Sequence, residues 1–216
     1  MGTVGALFAL VVLAGQASAG VVGLRLDFGE KLDPRGIPLG WELKSRTGKV
    51  EIHVREEGDR KVIAFRAVAA SFSLERKVNL ETQQFPVVEW SWKATQLPTG
   101  GDLRASRTND QAAQLLLLFE GKTALSYVWD TTAPVGTVSD ESIGWPISLK
   151  LKVLVVKSGA QDLGTWVRFS RNVAEDFKAL FGAPPPPLRG VRIQINTQHT
   201  NSTAEVTIGD ITFSRP

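Results

Sequence analysis

The sequence predicts an all-β fold, two packed antiparallel sheets carrying one short helix. Two observations lead to it. Apolar and polar residues alternate with period two in segment after segment, and the 3.6-residue period of an amphipathic helix is convincing only once. Val50, Ile52 and Val54 alternate with Glu51, His53 and Arg55, a strand with one face to the core and one to water. Ile63, Phe65 and Ala67 resume after the turn residues Glu57-Gly58-Asp59, so the two segments read as a hairpin. Val88, Trp90 and Trp92 share one side of the next strand, opposite Glu89, Ser91 and Lys93. Leu115 to Phe119 is an unbroken apolar run, the pattern of a central strand covered on both faces. Further strands are expected at residues 123–129, 147–156, 165–169, 191–196 and 204–213. The total of about ten suits two packed sheets.

The helix opens at Asn172, whose side chain is suited to cap it, with Glu175 three residues on. Val173, Phe177, Leu180 and Phe181 fall on one face, and Gly182 stands where a left-handed cap is expected. Pro184 to Pro187 then forces an extended connection. The stretches 97–101 and 131–144 read as long loops, where binding groups usually sit on a rigid sandwich. No repeat or second domain is visible, so residues 20–216 are expected to form a single β-sandwich domain.

The first residues carry a different signal. Val4 to Ala14 is a run of apolar and small residues, followed by Gln16-Ala17-Ser18-Ala19, which predicts a signal peptide over residues 1–19 cleaved after Ala19, although no Lys or Arg precedes Arg25. That run is too short for a transmembrane helix, which needs about 20 residues, so no membrane span is expected. There is no cysteine, which excludes disulfides, thiolate metal sites and a lipid-anchored cysteine. Export without disulfides points to a periplasmic or secreted bacterial protein. The formal net charge is +3, but basic and acidic residues are interleaved throughout, so nucleic acid is not an expected partner.

Several fragments occur in a recognisable order: Gly40-Trp41-Glu42, Trp90-Ser91-Trp92-Lys93, Asn109-Asp110-Gln111-Ala112-Ala113, Tyr127-Val128-Trp129, Arg171-Asn172-Val173 with Asp176, Phe181-Gly182 and Gly209-Asp210-Ile211. In these the chain resembles the bacterial exported domain-of-unknown-function family 3047, over about Asp27 to Phe213. The resemblance implies a jelly-roll sandwich similar to carbohydrate-binding modules and no particular activity. Where an Asp-rich turn is expected from the family, this chain has Asn196-Thr197-Gln198-His199-Thr200-Asn201.

Six tryptophans are many for a chain of this length. Flat rings serve sugar-binding sandwiches as platforms, and they equally stabilise a core. Trp90, Trp92, Tyr127 and Trp129 share faces with aliphatic residues and read as core. Trp145, between Gly144 and Pro146, and Trp166, in register with Arg168 and Ser170, are the platform candidates. Asp110 and Arg171 are the candidate polar contacts, with a turn cap and an ion pair as their bland alternatives. Asp27 and Asp210 would meet if the terminal strands pair, which suggests a structural calcium; no other cofactor is expected. Two histidines and no nucleophile-elbow pattern argue against a serine hydrolase. Three functions therefore stay open: a non-catalytic carbohydrate-binding module with a glycan ligand, a polysaccharide-cleaving enzyme using loop carboxylates such as Asp110, Asp130, Asp140 and Glu141, and a structural or accessory envelope protein.

Overall fold

A computed structural model describes residues 21–29, 31–143 and 149–216. The expected signal peptide and Trp145 lie outside these residues. The strands are β1 (Val22–Leu26), β2 (Glu42–Glu57), β3 (Arg60–Leu80), β4 (Val87–Gln96), β5 (Ala113–Phe119), β6 (Thr123–Asp130), β7 (Val138–Ile143), β8 (Leu149–Ser158), β9 (Val167–Asn172), β10 (Leu188–Asn196) and β11 (Thr203–Ser214), and the helix is α1 (Val173–Phe181). The all-β jelly-roll class with one short helix is thus observed. Two details differ from the expectation. The 131–144 segment is not wholly a loop, because β7 forms within it, and β6 pairs with β8 in parallel while the other pairs are antiparallel.

The two layers share their central strands. Hydrogen bonding runs continuously through β7-β8-β6-β5-β10-β3-β11-β4-β9, with β1 on β11 and β2 on β3. Residues 63–68 of β3 pair with β11 and residues 71–80 pair with β10, so β3 and its partner β2 cross from a smaller layer into a larger one. Ala69 makes the crossing: its φ of 46° is left-handed, and the residue it adds to the strand reverses the side on which later residues point. Ile63, Phe65 and Ala67 face the core before it, and Ala70, Phe72 and Leu74 face the core after it. Opposite, Gly48 has a φ of 69°, and a Cβ there would stand 2.2 Å from the Ala69 carbonyl oxygen.

The core lies between the layers. Trp90 of β4 stacks on Tyr127 of β6 at 5.1 Å and on Phe169 of β9 at 4.9 Å. The readings of Trp90, Trp92, Tyr127 and Trp129 as core residues hold, since all four are buried. Asn172 Oδ1 caps α1 by accepting from Ala174 N and Glu175 N, and Gly182 ends it in the left-handed region. Phe177 of the helix packs edge-on against Phe119 of β5. A second apolar cluster, with Leu103, Val128, Ala133, Leu151 and Val155, lies on the outer side of the larger layer. Leu103, from the segment between β4 and β5, and Ala133, from the segment between β6 and β7, pack on part of this outer face.

Candidate functional site

The open part of that outer face is a cleft of about 460 Å³. Its lining follows from period-two alternation. On β10, Val191, Ile193 and Ile195 are buried in the core, so Arg192, Gln194 and Asn196 project outward. Gln114 and Leu116 of β5, Ser73 of β3 and Lys44 of β2 continue the surface, Leu151 and Val153 of β8 add an apolar strip, and Glu141 of β7 forms a wall. Asn109 and Gln111 enter from the segment preceding β5.

The amides of the cleft are ordered by one another. Gln114 Nε2 donates to Gln111 Oε1 at 3.0 Å, Gln111 Nε2 donates to Asn109 Oδ1 at 2.8 Å, and Asn109 Nδ2 donates to Glu141 Oε1 at 3.0 Å. Gln194 Nε2 and Ser71 Oγ both donate to Asn196 Oδ1, at 3.0 and 3.1 Å. Beneath Gln111 lies Asp130, fully buried, whose carboxylate accepts from the backbone N–H groups of Leu103, Thr132 and Ala133 at 2.7–3.0 Å. Burial raises the Asp130 pKa above the ordinary aspartate value, and the three N–H donors oppose that rise.

The cationic groups of the cleft are paired. Arg192 Nε and Nη2 both donate to Glu75 Oε2, at 3.1 and 2.6 Å. Lys44 Nζ lies 2.8 Å from Glu42 Oε2 and 3.6 Å from Glu75 Oε1, and hydrogen bonds from Lys44 and Lys77 hold the Glu42 carboxyl below its usual range.

Of the candidate residues named from the sequence, Glu141 lines this cleft and Asp130 lies beneath it, whereas Trp166, Asp110, Arg171, Asp27 and Asp210 do not line it. Trp166 stands on the outer face of the smaller layer, half-buried, with the Arg60 guanidinium 4.2 Å and Lys93 Nζ 5.0 Å from its ring centre. Lys93 is also paired with Glu57, which lowers the Glu57 pKa. Asp110 is fully buried, and its Oδ2 accepts from Thr200 N at 2.7 Å and Thr200 Oγ1 at 2.8 Å. Arg171 points to the interior edge, where its Nε donates to Asp176 Oδ2 at 2.9 Å, the oxygen that also accepts from Tyr127 Oη at 2.7 Å. Asp110 and Arg171 therefore anchor a turn and the helix. β1 does pair with β11, but Asp27 Oδ1 accepts from Gly29 N at 3.0 Å and Asp210 is bonded to Arg25. Among the described residues no three His, Asp or Glu side chains cluster as metal ligands.

Gln114 and Gln194 were not singled out in the sequence; Glu141 was named only as a candidate loop carboxylate, and Gln111 and Asn196 entered only as members of sequence fragments. The alternation of Arg192, Gln194 and Asn196 with three aliphatic residues was the available signal for the polar face; nothing local marks that face as concave.

Among the described residues no helix is long and apolar enough to cross a membrane. No curated protein matches the sequence. Solved structures similar to this chain include the xyloglucanase domain of NopAA, a type three effector from Sinorhizobium fredii (9% identity, 79% of this chain and 91% of that one, TM-score 0.49). Others are a family 12 xyloglucanase from Bacillus licheniformis (10%, 88% and 99%, 0.49) and the family 11 carbohydrate-binding module of Lic26A-Cel5E of Clostridium thermocellum (8%, 92% and 97%, 0.46). A family model described as protein of unknown function (DUF3047) matches residues 40–212, and the chain belongs to that family.

Proposed function

We propose that the protein binds a neutral glycan, without cleaving it, in the cleft on the outer face of the larger layer. The observation that carries this reading is the ordered row of amides, Gln114, Gln111 and Asn109, beside Gln194 and Asn196. Sugar hydroxyls donate and accept at once, and a carboxamide offers both functions on one planar group. The apolar strip of Leu116, Leu151 and Val153 gives the C–H faces of a sugar ring a surface to pack on. Neutral chains are favoured over uronates because Lys44 and Arg192 already face Glu42 and Glu75.

Binding is favoured over hydrolysis by the state of the acids. Cleavage of a glycosidic bond requires one carboxyl that carries a proton and a second that is free to act as base or nucleophile. Glu75 is held by Arg192 and Lys44, and Glu141 accepts the Asn109 amide.

The test is calorimetric titration with neutral and uronic-acid oligosaccharides, together with a reducing-end assay over many hours. Binding of a neutral chain with no new reducing ends is the expected result. Release of reducing ends, abolished by Glu141→Gln, would replace the reading with that of a hydrolase, and preference for uronates would contradict it.

A further inference from the structure

Asp110 is only half explained by its role as an anchor. Its Oδ2 takes two hydrogen bonds from Thr200, and the Thr200 hydroxyl is joined to Ser202 Oγ at 2.7 Å, so the carboxylate is held rigidly. Its Oδ1 is buried and accepts no hydrogen bond. This oxygen is aimed at His199, whose Nδ1 lies 3.3 Å from it and 3.1 Å from the Asn109 carbonyl oxygen. A carbonyl can only accept, so in the neutral imidazole the Nδ1 proton is directed to Asn109 and Oδ1 faces His199 without a hydrogen bond. An unmatched carboxylate oxygen in a buried position is costly.

We propose that Asp110 Oδ1, His199 Nδ1 and the Asn109 carbonyl oxygen form a seat for a divalent first-row transition-metal ion, with zinc as the best fit. The spacing supports this. Metal–ligand bonds near 2.1 Å place neighbouring ligands about 3.0 Å apart in an octahedron and about 3.4 Å apart in a tetrahedron, and the separations of His199 Nδ1 from the two oxygens, 3.1 and 3.3 Å, fall between. Calcium and magnesium prefer all-oxygen shells, whereas an imidazole nitrogen with oxygen ligands suits zinc and its neighbours.

On binding, the Nδ1 proton moves to Nε2, giving the other neutral tautomer, and the freed lone pair coordinates the metal. The His199 side chain is 40% exposed, so water completes the shell. The ion would neutralise Asp110 and clamp the 197–202 turn to the segment that carries Asn109 into the cleft. The site stands whether or not the cleft takes a glycan.

The test is calorimetric titration of the chelator-stripped full-length protein with zinc chloride. One ion per chain is expected, with a dissociation constant of about 10 µM or tighter. His199→Ala removes an exposed side chain and should weaken binding at least about tenfold. His53→Ala, which removes the other histidine of the chain, should leave binding unchanged. Zinc should raise the melting temperature of wild type and of His53→Ala but not of His199→Ala. Absence of zinc binding, equal affinity in His199→Ala and wild type, or loss in His53→Ala instead would overturn the proposal.

Discussion

Gln111 Nε2 donates to Asn109 Oδ1 at 2.8 Å, and this bond sets the direction of the amide row, because it turns the Asn109 Nδ2 group toward Glu141 and leaves Gln111 Oε1 to accept from Gln114. Gln111→Glu keeps the shape but sets an acceptor against Asn109 Oδ1 and the buried Asp130. The substitution should destabilise the protein by about 1–3 kcal/mol, measured by urea unfolding. An unchanged midpoint would mean that the row has no fixed direction.

The crossing of β2 and β3 between layers rests on two left-handed residues of opposite suitability. Gly48→Ala places a Cβ 2.2 Å from the Ala69 carbonyl oxygen at a positive φ and should cost at least about 1–3 kcal/mol. Ala69→Gly relieves a left-handed alanine, φ 46°, and should be neutral or stabilising by up to about 1 kcal/mol. Thermal melts of both variants check the pair of signs.

Tyr127 is the only tyrosine of the chain, so phenolate absorbance reports on it alone. Burial, and then the charge of Asp176, raise its pKa well above the ordinary phenol value. With the folded pKa raised, the contribution to stability is complete below about pH 10, the unfolded value, and is lost as pH climbs above it. Native protein should show no phenolate until it unfolds in alkali. Tyr127→Phe should lose about 1–2 kcal/mol near neutral pH, with the hydrogen bond to Asp176, and should show a shallower alkaline decline. A phenolate titrating near pH 10 in folded protein would contradict the burial of this group.

Trp166 is held between Arg60 and Lys93 on the smaller layer. Trp166→Ala should lower stability by about 0.5–2 kcal/mol, a fall of about 2–4 °C in melting temperature per kcal/mol for a domain of this size.

The fold was legible because its signals are local. Period-two alternation located the strands, and Asn172 with Gly182 bounded the helix. The crossing at Ala69 is also written in the sequence, as the shift of the apolar register between Ala67 and Ala70. β7 was hidden because Val138 to Ile143 is mostly polar and takes its strand form from pairing with β8. The cleft was harder to see, because its residues come from strands far apart in sequence and which polar face is concave depends on how the whole sheet curls. Asp110 and Arg171 drew attention as charged residues beside loops, yet burial and the partners Thr200 and Asp176 gave them anchoring roles.

The placement of the glycan is tested most directly by comparing the affinity of one neutral oligosaccharide for wild type, Gln194→Ala and Trp166→Ala in the same calorimetric titration. Gln194 lines the cleft and is only half-buried, so its loss should weaken binding about tenfold with little change in melting temperature. Trp166→Ala should leave the affinity as it is. Retained affinity in Gln194→Ala with loss in Trp166→Ala would move the ligand to the opposite face and contradict the assignment of the cleft.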